Sequence, residues 1–290
     1  MASRSFEPIE LLGLYTETPL HCGAESGTGF VDMPIQRERH SGFPMIPGST
    51  IKGVLRDDGD WGTDAQRDYF FGADEKRGAG TATAGRPGAV SFGDAFLVAF
   101  PVRSSKFPFV WVTCPLVLER TYRALGRPWP NPTGTLSEGE AWGGGEEEDV
   151  LLEELHVTAR KDEQTILAPL IDLLPSGSDF DYTRNCFRTR LYAISDADFG
   201  TIVETGTEIV TRIRIDDETG TTTGKSGQMF NEEIVPRDAL FVTVLRELSN
   251  SSPKFPAHNI PPVIRLGGHE TIGRGVTWVS HTKTGNGVRS

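Results

Sequence analysis

Short apolar runs, β-branched and aromatic in character, recur along this chain, and none approaches the length of a membrane-spanning helix. "IELLGLYT" at 9–16, "AVSFGDAFLVAFPV" at 89–102 and "FVWVTC" at 109–114 read as strands. So do "EIVTRIRI" at 208–215, "QMFNEEIV" at 228–235, "ALFVTVLREL" at 239–248 and "VTWVSH" at 276–281. Between them lie a few helical signals. "PGSTIKGVLRD" at 47–57 predicts a helix with Ser49 or Thr50 as its N-cap. "DAQRDYFFG" predicts a short helix ending at Gly72, and "PLVLERTYRALG" one with Pro115 in its first turn and Gly126 past its end. "DADFGTIVETG" at 196–206 is a further helical segment. Strands with interspersed helices and no internal repeat predict an α+β fold, elaborated by insertions.

Charge narrows the partners less than its total suggests. The 290 residues carry a net charge of −11. Eight of the acids fall in 138–154 (Glu138, Glu140, Glu146, Glu147, Glu148, Asp149, Glu153 and Glu154), and without them the balance is −3. That acidic, glycine-bearing stretch reads as a solvated insertion. The Gly/Ala/Thr-rich stretch 73–88 reads as flexible. Screening confines electrostatics to about 10 Å at ordinary salt, so a local basic surface can still hold phosphates. Cys22, Cys114 and Cys186 are scattered and odd in number, and "MASRSFEPIE" lacks the apolar segment of a signal peptide. A cytoplasmic protein with no membrane partner is expected.

Several stretches invite a chemical reading. "DDETGTTTGKSG" fails the phosphate-loop spacing at Thr219, and its flanks predict a long β-hairpin instead, either structural or projecting toward a partner. "RLGGHETIGRG" has glycines at 267, 273 and 275 around Arg274, a backbone that either turns tightly or approaches a ligand. The six histidines form no sequence cluster, so no preformed transition-metal site is expected. In "VDMPIQRERHSGFPMIPGSTIKGVLR" at 31–56, a lone Asp32 precedes Arg37, Arg39, Lys52 and Arg56, with Pro34, Pro44 and Pro47 holding the chain out of regular structure. Asp32 is either paired with Arg37 or Arg39 or free for chemistry.

Together "TPLHCG", this stretch, "FNEEIVPRDALF" and "GGHETIGRG" resemble, in order from residue 18 to 275, the repeated backbone subunit of type III-B (Cmr) CRISPR effector complexes, within the RAMP superfamily. The resemblance implies a single RAMP domain over 1–290, with a ferredoxin-like, RRM-type core and finger and thumb β-hairpin insertions. The segment 213–230 is the candidate thumb. It implies copies stacked head to tail on a CRISPR guide RNA, beside other subunits of the complex, with complementary target RNA cleaved at regular intervals. Asp32 matches the family's cleaving aspartate and is the expected holder of a divalent metal, Mg²⁺ or Mn²⁺. His21, Glu232 and Glu233 are candidate assistants. Arg37, Arg39, Ser49, Thr50, Lys52, Arg56, Gly273, Arg274 and Gly275 are candidate RNA contacts, with helix-start amides and cations suited to phosphates. Two alternatives stay open: a guide-binding filament subunit that does not cut, and a metal-independent CRISPR-repeat endoribonuclease.

Overall fold

A computed structural model describes residues 8–24, 31–73, 86–130, 135–143, 148–160, 166–215, 222, 228–248 and 253–282. The chain opens with strand β1 (Pro8–Thr16) and, after the proline-punctuated stretch, the two-residue β2 (Met45–Ile46). Helices α1 (Gly48–Asp58) and α2 (Asp64–Phe71) follow, then β3 (Val90–Phe92), β4 (Ala95–Val102) and β5 (Val110–Thr113). Helix α3 (Pro115–Ala124) leads to β6 (Glu140–Gly143), β7 (Glu148–Leu152) and β8 (Leu155–Arg160). Helix α4 (Asp181–Arg190), β9 (Leu191–Ile194) and α5 (Asp196–Thr205) come next. The hairpin strands β10 (Glu208–Arg214) and β11 (Gln228–Ile234) precede β12 (Leu240–Glu247), β13 (Val263–Arg265) and β14 (Val276–Thr282).

Most strands join one mixed sheet in the order β13-β14-β1-β12-β4-β5-β9-β6-β8-β7, while β10 and β11 form a separate two-stranded sheet. The α+β expectation holds, with a large sheet and a separate hairpin. The sheet is covered on both faces, which explains its near-continuous apolar strands. In β1, Leu12 and Leu14 enter one core while Leu11 and Tyr15 enter the other. In β12, Phe241 and Leu245 alternate with Leu240, Val242 and Val244 in the same way. A register shift where Leu240 and Phe241 meet Ala99 and Leu97 realigns β4 along its length. Gly13 is required at its place: a Cβ there would stand 2.0 Å from the Leu173 carbonyl oxygen.

Two local expectations are corrected. The N-cap of α1 is Pro47, so Ser49 and Thr50 lie within its first turn, and the Asp94 carboxylate accepts from the Gly48 amide at 2.7 Å. The connection between β3 and β4 thus supplies, as a carboxylate, the acceptor oxygen that a Ser or Thr cap would have supplied. The acidic stretch is not simply a solvated insertion: β6 and β7 add to the sheet, with Ala141, Val150 and Leu152 buried. Its acids mask the strand alternation beneath them. The hairpin expected from the strands at 208–215 and 228–235 is present, its described arms pairing from Glu208 opposite Ile234 outward to Arg214 opposite Gln228. The stretch 74–85 and most of the hairpin's connection lie outside the described residues. All three cysteines are free and buried, and among the described residues no helix is long and apolar enough to cross a membrane.

Candidate active site

The site grows from β11, where Asn231, Glu232 and Glu233 follow one another at the root of the hairpin. The Asp32 loop runs alongside, with Met33 bridging Glu232 in parallel. Its backbone is held by Met33 N to Asn231 O at 3.0 Å and Glu233 N to Met33 O at 3.0 Å. Asp32 is exposed, and its Oδ2 accepts from the Asn231 amide at 2.8 Å. That bond fixes one carboxylate oxygen and leaves the other available. Neither Arg37 nor Arg39 pairs with Asp32, so the bracing considered from the sequence is replaced by a backbone amide 199 residues away.

Arg37 instead clamps Glu233. Its Nη2 donates to Glu233 Oε1 at 2.5 Å, and its Nη1 donates to the Gly42 carbonyl at 2.7 Å. Thr207 Oγ1 donates to the same oxygen of Glu233, and the Ile35 amide donates to Oε2 at 3.1 Å. Burial works to raise the Glu233 pKa, but the bonds from Arg37, Ile35 and Thr207, with the Arg37 charge, outweigh it and hold the carboxyl below its ordinary value. The Asp32 loop is therefore fastened to the hairpin on both sides of Pro34.

Glu232 is fully buried and forms a second hub. Its Oε2 accepts from Arg212 Nε and from Arg274 Nη1, each at 2.7 Å. His269 Nε2 stands 2.8 Å from Oε1 and His21 Nδ1 3.7 Å from it, yet Oε1 has no aligned donor. His21 gives its Nδ1 to the Glu233 carbonyl at 2.7 Å, which leaves Nε2 as the acceptor nitrogen of the neutral ring. Burial, aided by Arg212, His21 and Arg274, holds the His269 imidazole below its ordinary pKa against the pull of Glu232. The glycine loop is built against His21: a Cβ on Gly267, whose φ is +80°, would stand 2.2 Å from the His21 carbonyl oxygen.

His21, Glu232 and His269 converge closely enough to hold a metal. No histidine cluster was visible along the sequence, because residues 21, 232 and 269 meet only in space. Two guanidiniums already on the Glu232 carboxylate oppose a dication there, so we read the cluster as an ionic lock. Asp32 offers the site with the better donor chemistry for a hard cation. Arg212, His269 and Asn231 were not singled out from the sequence, and no local signal marks them.

The remaining candidates separate into engaged and open groups. Arg56 donates to Asp68 at 2.9 Å and to the Gly72 carbonyl at 2.8 Å, tying α1 to α2. Arg274 belongs to the Glu232 hub. Lys52 is half-buried and Arg39 exposed, and neither has an ion pair among the described residues. Ser49 and Lys52 share the open face of α1, opposite the buried Gly48, Ile51 and Leu55. Gly273 adopts φ +80° with open space where a Cβ would point. Farther out, Ile209, Ile213 and Met229 occupy one face of the hairpin, since Ile213 lies opposite Met229 and Ile209 opposite Glu233. All three, and Ile215 beyond them, are more than half exposed.

Comparison with known proteins bears on this arrangement. The sequence pattern of the RAMP superfamily matches residues 14–277. The CRISPR system Cmr endoribonuclease Cmr4 of Pyrococcus furiosus is 34% identical over 295 residues, spanning 93% of this chain and 94% of the relative. The crystal structure of oligomeric Cmr4 from Pyrococcus furiosus superposes with a TM-score of 0.70 at 28% identity, covering 96% of this chain and 98% of that one. A chain of the type III-B Cmr-beta complex bound to cognate target RNA, seen by cryo-electron microscopy, gives 0.71 at 21% identity over 96% and 98% of the two chains, which speaks for the fold.

Proposed function

The chain belongs to the RAMP superfamily, and on that premise we propose that it is the endoribonuclease backbone subunit of a type III-B CRISPR complex, holding guide RNA and cutting complementary target RNA through Asp32. The 34% identity to the Pyrococcus endoribonuclease over nearly the full length supports the activity, and the oligomeric state of that relative's crystal structure supports assembly of copies. The observation that carries the assignment of Asp32 is its geometry: an exposed carboxylate docked on the β11 amide at the root of a projecting hairpin.

The donor set at Asp32 suits a hard cation that keeps most of its water. One carboxylate is offered, one of its oxygens already takes the Asn231 amide, and no second acid is among its partners. Mg²⁺ or Mn²⁺ completed by RNA phosphates fits this description better than a closed protein cage. When bound, such a cation neutralises charge at the scissile phosphate. The chain's own residues do the positioning. The Asn231 amide sets the Asp32 rotamer, the Met33 bridge sets its height along β11, and the Glu233–Arg37 clamp keeps the loop against the hairpin. His21 and Glu232 act from beneath by fixing β11 and the glycine loop.

The apolar face of Ile209, Ile213, Ile215 and Met229 supports the thumb reading, because an unpartnered apolar ribbon can wedge between stacked bases. Lys52 and Arg39, which have no ion pair among the described residues, are the phosphate contacts this reading uses. The test is an assembled complex given complementary RNA and Mg²⁺. Evenly spaced products are expected from the wild type and none from Asp32→Asn, with RNA binding retained. Cleavage by Asp32→Asn at the wild-type rate would sink the assignment, and cleavage that survives EDTA would sink the metal requirement.

A further inference from the structure

The glycine loop reaches β11 through Arg274, and Asp32 hangs on the same strand. We propose that Arg274 is a positioning residue for the cut: it holds the Asp32 carboxylate in place through Glu232 and the Asn231 amide, and takes no part in holding RNA. The proposal rests on the endoribonuclease reading and adds to it a residue that sets the cutting rate from beneath the site.

The loop's backbone directs this side chain inward. Gly273 and Gly275 flank Arg274 at φ +80° and +76°, and a Cβ on Gly275 would stand 2.0 Å from the Leu266 carbonyl oxygen. Only glycine adopts such a turn without strain. The Gly275 amide donates to the Pro19 carbonyl at 3.0 Å and the Gly268 amide to that of His21 at 2.8 Å, which seats the loop on the core. The Arg274 side chain is 12% exposed, and its Nη1 lies on a Glu232 side chain that is wholly buried. Its charge is met inside the protein, so a phosphate outside feels little of it.

From Glu232 the path to Asp32 is short. The preceding residue, Asn231, gives its amide to Asp32 Oδ2 at 2.8 Å, and its carbonyl accepts from the Met33 amide at 3.0 Å. A shift of β11 at Glu232 therefore carries the Asp32 loop with it. Arg274 controls that shift because Glu232 is thinly satisfied. Among the described residues only Arg212 Nε joins Arg274 on Oε2, and Oε1 has no aligned donor. Without Arg274 the buried carboxylate keeps one aligned donor. The nearest replacements, His269 Nε2 at 2.8 Å and His21 Nδ1 at 3.7 Å, stand on the other oxygen. Turning toward them to recover a bond pulls on β11. A misplacement of about 1 Å at a reacting group can cost about a hundredfold in rate.

The test uses the assembled complex. Arg274→Gln should slow single-turnover cleavage at saturating target about tenfold or more, with target affinity and the salt slope of RNA binding as in the wild type. An arginine that met a phosphate would instead lower that slope by about 1 when removed. Arg274→Lys, which can still donate to Glu232, should recover part of the rate. Because the effect runs through Glu232, the double variant Glu232→Gln with Arg274→Gln should cut no more slowly than the slower single one. A second readout needs no cleavage: hydrogen exchange of the Asn231 amide, with guide bound and target absent. It should be about tenfold faster in Arg274→Gln, intermediate in Arg274→Lys and unchanged in Arg184→Gln. Arg184 bonds to the Ile171 and Leu174 carbonyls and not to β11, so its variant controls for general destabilisation. Exchange that responds in this way while Asp32→Asn still cuts at the wild-type rate keeps the positioning and removes the role of Asp32. A lowered salt slope, additive losses in the double variant, or Asn231 exchange indifferent to both Arg274 variants overturns the proposal.

Discussion

The root of the hairpin and its outer arm are continuous in β10 and β11, yet they are built on opposite principles. At the root, Glu232 and Glu233 draw in Arg212, Arg274, Arg37 and two histidines, and the charges close on one another. Along the arm, Ile213, Ile215 and Met229 are each more than half exposed among the described residues. A buried ion cluster gives geometry more than net stability, because desolvation offsets much of the attraction. An exposed apolar ribbon lowers solubility unless something covers it. Asp32 sits where the two regimes meet, held by the rigid part and facing what the open part would contact.

The sharpest way to break the contrast is Glu232→Ala, which leaves two guanidiniums uncompensated in the interior. It should cost about 3–5 kcal/mol of stability, read as a large drop in Tm. If Tm barely moves, the root is not a lock. Asp32→Asn should do the reverse: little change in Tm, and cleavage slowed about a hundredfold or more. A loss of stability equal to that of Glu232→Ala would place Asp32 in the lock instead.

Acid should loosen the root before the rest. Both Glu233 and His269 have depressed folded-state values, so the unfolded chain binds protons first and stability falls with falling pH. The His269 contribution is full above the ordinary histidine range near pH 6.5 and declines below it, and the Glu233 contribution is lost below about pH 4.3. Thermal melts from pH 8 to pH 3.5 should show wild type losing more Tm than Glu233→Gln in the most acidic part. Parallel curves would show that the clamp carries no linkage.

Smaller effects separate engaged from open cations. Arg56→Ala should destabilise by about 1 kcal/mol through its lost bonds to Asp68 and Gly72. Lys52→Ala should leave Tm within about 0.5 kcal/mol equivalent and lower the salt slope of RNA binding by about 1. If both behave alike, the division between braced and free charges on α1 is wrong. On the arm, Ile213→Asn should leave stability unchanged and alter only RNA engagement, seen as weakened or misplaced cleavage bands.

The elements with strong local signals were legible. Proline at the start of α3, glycine after α2, and β-branched runs in β1, β4, β12 and β14 each announce themselves within a few residues. The strands β6 and β7 were hidden because acids such as Glu140 and Asp149, at positions alternating with the buried residues, and the glycines in the sequence between them imitate a solvated loop. The cap of α1 was misread because its anion, Asp94, comes from 46 residues away. Asp32 was legible only through the resemblance of its surrounding motifs, since no local pattern tells a cutting carboxylate from a paired one.

Alternation and turn chemistry are short-range properties, so the residues alone marked β1, β4, β5, β10, β11, β12 and β14 as strands and α1, α2, α3 and α5 as helices. Which charges cancel was decided by tertiary structure. Arg37 meets Glu233 across 196 residues and Asp32 meets the Asn231 amide across 199. Coulomb attraction depends on distance in space and on the local dielectric, and neither is defined until the sheet has brought β11 beside the Asp32 loop.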